Sequence, residues 1–277
     1  MVGDVERSES RFEELVRIAK NTKADQEPDF LDYLSNFAML YESTGQFDKA
    51  DPILRRLCKL YAKHFGEDDP ELGTVLKRAG DNLAELGEFE DAESCYQQAL
   101  NLARTVDEPS DLADALMRLG NVQAAMEKVE EADRHLEEGV NLIRDLCAED
   151  EPYLAGALVS YADHLLHSDR VEEAKSMYTE ALDIQRKRLG SAHPTTALSM
   201  IGLANALTNL QELAEAEQLY LEAQQVLRET VGEEDRDFAY LLAGLGELYL
   251  VLGREEEGES MLHRAREILG IEEHGID

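Results

Sequence analysis

The sequence predicts an all-α chain, a right-handed solenoid of six helical hairpins. One pattern of small and large apolar residues recurs six times at near-constant spacing, and prolines and glycines punctuate the same places in successive copies. The third observation is charge: 60 acids against 27 bases leave a net −33 on 277 residues, 43% of them hydrophobic. Those charges run through the periodic sequence and are not gathered in a tail, so the chain reads as folded.

Residues 1–28 read as a tail carrying a short capping helix over residues 10–20, where Phe12, Leu15, Val16 and Ala19 share one face. The first helix of each hairpin, helix A, is registered on Ala38, Gly80, Gly120, Ala162, Ala204 and Gly246, at spacings of 42, 40, 42, 42 and 42. Four residues earlier stand Leu34, Leu76, Leu116, Leu158, Met200 and Leu242, on the same helical face. Pro28, Pro70, Pro109, Pro152 and Pro194 mark helix A entries, where a missing N–H and a fixed φ cost nothing, and Arg236 takes the sixth. Gly45, Gly87 and Gly253 mark turns as left-handed residues, with Glu127, Asp169 and Gln211 in their place elsewhere. Helix B follows, registered on Ala50, Ala92, Ala132, Ala174, Ala216 and Gly258, each followed four residues on by Leu54, Tyr96, Leu136, Tyr178, Tyr220 or Leu262. Small residues on both helices let their backbones approach closely. The hairpins span about 29–70, 71–110, 111–152, 153–194, 195–236 and 237–270, and 271–277 is a tail; Glu255, Glu256, Glu259 and Arg266 are candidates for a polar outer face on the last helix.

The runs Ala92, Tyr96, Ala99; Ala174, Tyr178, Ala181; and Ala216, Tyr220, Ala223 follow helix A residues of the pattern above. Together they resemble the tetratricopeptide repeat (TPR). The 42-residue unit and the link Gly190, His193, Pro194 are similar to the kinesin-light-chain-like subclass, although the amino-terminal coiled coil of a kinesin light chain is not found. Gly139 and Gly258 depart from the family's alanines. The resemblance implies an adaptor that binds a protein or peptide segment in a concave groove lined by helix A. By position the lining is Asn36, Lys77, Arg78, Asp81, Arg118, Asn121, Asp163, Asn205 and Glu247. Asparagine and arginine can hydrogen-bond an extended peptide's backbone or carboxylates. Lys77, Arg78 and Arg118 form the one candidate basic patch. The family's carboxylate clamp is incomplete: Lys77 is followed by Asp81, and Asp114 stands where its last lysine belongs.

Other function classes find little support. So acidic a chain is ill suited to nucleic acid or an anionic membrane, both of which select clustered Lys and Arg. No phosphate loop, nucleophile elbow or His-Glu-x-x-His helix occurs, so the reading is non-catalytic, with no cofactor and no metal. His164 and His167, three apart, read as a surface or groove pair lacking a third ligand. Cys58, Cys95 and Cys147 read as buried, inert thiols. Acids gather at the links, around Glu67, Glu108, Glu151 and Glu233, where they complement helix dipoles. With no signal peptide or apolar span, a cytoplasmic location is expected. The alternatives are a regulatory subunit embracing an effector enzyme and a scaffold that self-associates through its array ends.

Overall fold

The computed structural model describes residues 28–106, 108–146 and 151–271. The expected capping helix, Cys147 and the tail after residue 271 lie outside them. Among the described residues there are twelve helices and no strand. They are α1 (Pro28–Ser43), α2 (Phe47–Phe65), α3 (Pro70–Glu85), α4 (Phe89–Val106), α5 (Pro109–Ala125), α6 (Val129–Leu146), α7 (Pro152–His167), α8 (Val171–Arg188), α9 (Pro194–Asn209), α10 (Leu213–Thr230), α11 (Arg236–Val251) and α12 (Glu255–Leu269). Odd-numbered helices are the A helices of the repeat and even-numbered ones the B helices. This is the all-α, hairpin-by-hairpin class that the periodicity predicts.

The described residues form two compact units, divided between Lys128 and Val129. In the first, α1 to α5 pack each on the next, and α3 also touches α5. In the second, α6 to α12 do the same, with α7 against α9 and α9 against α11.

Five A helices begin on their proline, and α11 begins on Arg236. Asp69 and Asp235 cap α3 and α11 by accepting the amides of Glu71 at 2.9 Å and Asp237 at 2.8 Å. Two of the acidic links are thereby spent in part on helix starts. Each turn from A to B holds one left-handed residue: Gly45, Gly87 and Gly253, but also Glu127, Asp169 and Gln211 at φ of 58°, 61° and 62°. A side chain at such a φ costs about 1 kcal/mol relative to glycine, which the flanking hairpin offsets.

The small register residues Ala38, Ala50, Ala92, Ala132, Ala162, Ala174, Ala204 and Ala216 are all fully buried. So are most of their large neighbours, Leu34, Leu54, Leu116, Leu136, Leu158, Met200 and Tyr220 among them. Three tyrosines of the B helices each lie over a glycine. Tyr96 covers Gly80 in its own hairpin, whereas Tyr178 covers Gly202 and Tyr220 covers Gly244, both in the hairpin that follows. A Cβ at Gly202 would stand 2.4 Å from Cε1 of Tyr178, so the ring occupies the space of a missing side chain.

Ion pairs tie the B helices to the turn of the following hairpin. Glu93 holds Lys128 at 2.6 Å, Asp133 holds Arg170, and Glu217 holds Arg254 at 2.7 Å. Between α8 and the turn before α10 the signs reverse, Lys175 holding Glu212 at 2.6 Å. In the first hairpin the equivalent positions are two acids, Asp51 and Glu88, bridged by Arg55 at 2.7 and 3.4 Å. A second rung joins Arg144 to Glu180 and Arg186 to Glu222, at 2.7 and 3.0 Å. Exposed pairs contribute about 0–1 kcal/mol each, so they orient neighbours more than they stabilise them.

At the carboxyl end, α12 buries Gly258 and Ala265 and shows Glu255, Glu256, Glu259 and Arg266 to solvent, the polar face expected there. Cys58 and Cys95 are free thiols packed against the core of the first hairpins. Burial pushes the Cys58 thiol up to about 12 and the Cys95 thiol upward too, which leaves both protonated and inert at neutral pH.

Two glycines of one A-helix wall separate packing from propensity. Gly202→Ala should lower stability by about 1–3 kcal/mol through collision with Tyr178. Gly156→Ala, whose Cβ meets nothing within 4 Å, should leave it unchanged or raise it by about 1 kcal/mol. Urea unfolding of the two variants checks this, and equal losses would contradict it.

Candidate peptide-binding wall

The residues expected to line the groove fall into three groups. Asn36, Asn121, Asp163 and Glu247 are exposed on their A helices; Arg78, Asp81, Arg118 and Asn205 are half-buried; Lys77 is buried.

The three cations are consumed inside the first unit. The ammonium of Lys77 sits between Asp111 at 2.8 Å and Asp114 at 2.9 Å, both on α5. Burial works against its charge, but the two carboxylates hold its pKa above the ordinary lysine range. Arg78 crosses to α1, where Glu42 accepts at 2.7 Å and the Ser35 hydroxyl at 2.7 Å. Arg118 pairs with Asp114 at 2.9 Å and with Asp81 on α3. Lys77 and Arg118 therefore face Asp81, Asp111 and Asp114, two positive charges against three negative. The basic patch read from the sequence is a neutralised seam between hairpins, because each cation leans toward a carboxylate on a neighbouring helix A, Lys77 on the one after it and Arg78 and Arg118 on the one before.

Asp81, Asp163 and Asn205 occupy one register position on α3, α7 and α9, and each accepts the hydroxyl of its hairpin's tyrosine: Tyr96 at 2.8 Å, Tyr178 and Tyr220. Partial burial raises the Asp163 carboxyl pKa, while the Tyr178 hydroxyl lowers it. Burial lifts all three phenols far above their ordinary range, so they donate and stay neutral. Glu247 has the same register on α11, where Leu262 replaces the tyrosine, and has no ion-pair partner among the described residues.

The A helices of the second unit carry a feature that reading the polar residues alone misses. Tyr153, Leu198 and Tyr240 are 50%, 39% and 48% exposed on α7, α9 and α11. Leu198 and Tyr240 lie six residues before the register positions Ala204 and Gly246, on the stripe that also holds Asn205 and Glu247, and Tyr153 lies nine before Ala162, to one side of that stripe on α7. Gly156, with open space above it, takes the corresponding place on α7. Extending the helical register toward the amino end of each A helix would have found them.

His164 corrects the reading of a surface pair. It is 5% exposed, its ring stacked at 6.4 Å on Tyr161, and its Nε2 has no hydrogen-bond partner, with Asp133 3.8 Å away. Asp133 is engaged by Arg170 and by the Tyr161 hydroxyl at 3.2 Å. His167 instead is exposed, its Nδ1 2.7 Å from the carbonyl of Asp163. Among the described residues no group of three or more His, Cys, Asp or Glu could hold a metal ion. Burial holds the His164 pKa below its ordinary value, with Asp133 opposing and Arg170 and His167 adding to the depression. The unfolded chain therefore takes up this proton first as pH falls through about 6.5, and stability present above that pH is lost below it. His164→Leu, which places there the leucine found at Leu248 in the last hairpin, should remove that loss. Urea midpoints at about pH 7.5 and 5.5 should fall further for the wild type than for the variant, and parallel changes would contradict the assignment.

No helix among the described residues is long and apolar enough to cross a membrane. The chain matches the family model of the tetratricopeptide repeat over residues 29–105, 71–145 and 153–229. No curated protein matches it. Solved structures do, at low identity and with the same fold. BtubC (BKLC) from P. vanneervenii is 20% identical, with a TM-score of 0.61 over 87% of this chain and 91% of that one. The nearly identical TPR-like repeats of a candidate kinesin light chain from Podosopora anserina are also 20% identical, with a TM-score of 0.61 over 75% and 99%. The apo form of RapI is 15% identical, with a TM-score of 0.71 over 97% and 96%. The repeat pattern, the paired helices and the family match agree: this chain belongs to the tetratricopeptide repeat family, with kinesin-light-chain-like TPR proteins among its structural neighbours.

Proposed function

We propose that the protein is a non-catalytic adaptor and that the A-helix wall of its second unit binds a protein or peptide segment. Membership of the family supports a protein-interaction role, and one structural neighbour, Cut9, is solved as a hetero-tetramer with Hcn1, at 16% identity and a TM-score of 0.67. The observation that carries the reading is the exposed pair Leu198 and Tyr240 at one register of α9 and α11, with Tyr153 exposed three residues before the equivalent Gly156 on α7. A merely solvated helix face places polar residues there, whereas a leucine and a ring at one register, with a second ring nearby on α7, offer apolar contact beside the hydrogen-bonding groups of Asn205 and Glu247. In the first unit Asn121 takes the position that corresponds to Asn205 and Glu247, and Asn36 lies three residues before that position on α1. Lys77, Arg78 and Arg118 are assigned to holding the hairpins together.

Affinity capture from the native source tests the wall. Gly156→Gln fills open space on α7 without adding charge, and Thr179→Gln makes a like change on the exposed face of α8. The partner should be held about tenfold more weakly by the first variant and unchanged by the second. Loss with Thr179→Gln alone would contradict the proposal.

A further inference from the structure

The charge on this wall defines what it accepts. Helices α7, α9 and α11 contain no lysine and one arginine, Arg236. That arginine is already placed: its guanidinium carbon lies 5.7 Å from the centre of the Tyr240 ring, and its Nε donates to the Tyr240 hydroxyl at 3.1 Å. An acidic ligand would meet no uncommitted cation there. Asp163, whose carboxylate accepts the Tyr178 hydroxyl and has the His167 ring nearby, and Glu247, with no ion-pair partner among the described residues, offer the opposite charge from the outer two helices, with the amide of Asn205 between them. Tyr153 adds a second exposed ring, and Arg236 on Tyr240 shows that a ring of this face receives a guanidinium.

Resting on the binding wall proposed above, we infer that its ligand is a basic extended segment with two Lys or Arg side chains about six residues apart. The spacing follows from geometry. Because α7 packs on α9 and α9 on α11, two steps of about 8–10 Å separate the rows of Asp163 and Glu247. An extended chain rises about 3.3 Å per residue, so it covers that distance in five or six residues. The amide of Asn205 then lies near the middle of the segment. The chain's large negative charge adds attraction at long range, which speeds encounter and weakens with salt.

The test uses the full chain and three labelled twelve-residue peptides read by fluorescence anisotropy: one with two arginines six apart, one of the same composition with them adjacent, and one with glutamates in their places. Asp163→Asn with Glu247→Gln removes the wall's charge, and asparagine is a tolerated choice because Asn205 accepts a tyrosine hydroxyl at the same register. Glu172→Gln with Glu215→Gln removes equal charge from exposed positions on α8 and α10. The spaced peptide should bind best, and the wall variant should weaken it by about fivefold or more, against less than about twofold for the other. Equal losses with both variants, or equal binding of the two arginine peptides, would overturn the inference by showing unspecific attraction. Preference for the glutamate peptide, abolished by Gly156→Gln, would overturn the charge class and keep the wall. If Gly156→Gln affects none of the three peptides, the wall reading fails with it.

Discussion

A helical hairpin has two apolar sides and can bury one of them in itself; the other needs a neighbour. Most features of this chain follow from that dependence. The small residues that bring A and B together are buried within the hairpin, and the larger ones reach outward to the next. Tyr178 and Tyr220 show the dependence at single-residue scale, since each ring fills the space above a glycine supplied by the following repeat. Tyr96, whose following repeat offers Arg118 at the matching position, turns back over Gly80 in its own hairpin. A tyrosine at this place therefore comes with a glycine, in one repeat or the other.

Polar side chains are drawn into the same task. Carboxylates and cations about 34–37 residues apart meet across hairpins at Lys77 and Asp111, Arg118 and Asp81, Lys175 and Glu212, and Arg254 and Glu217. Such pairs contribute little stability while penalising a wrong neighbour, which would set like charges together. The reversed sign at Lys175 and Glu212 makes that contact distinct from the ones beside it. The stripe of the A helices in the second unit keeps Leu198, Tyr240 and Glu247 exposed after these contacts are made, and the proposed recognition uses that exposure.

The fold was legible because its signals repeat: six register residues per helix type, five prolines at helix starts and one left-handed residue per turn each mark the same place. Even Glu127, Asp169 and Gln211 were readable as turn residues from position alone, against their side chains' preference. The site was legible only in part. Sequence register places Asn36, Asn121, Asp163, Asn205 and Glu247 on the outward stripe, but does not say which way a long side chain leans. Lys77 and Arg118 read as a ligand-facing patch in the sequence because their partners, Asp111, Asp114 and Asp81, are carboxylates among 60 acids, and nothing local marks those as the ones in reach. His164 was misplaced for a related reason: its register position holds Leu40, Val122 and Leu248 in other repeats, a core pattern that the neighbouring His167 obscured.

The dependence of each repeat on the next is tested most directly by a double-mutant cycle between Tyr178 and Gly202, using Tyr178→Leu, Gly202→Ala and both together, with stability from urea unfolding. The account predicts coupling: leucine, as found at Leu136, leaves room for the added methyl group, so the double variant loses less than the sum of the singles by about 1 kcal/mol or more. Additivity to within about 0.5 kcal/mol would show that the ring and the glycine do not meet across the repeats, and the account would be wrong at its base.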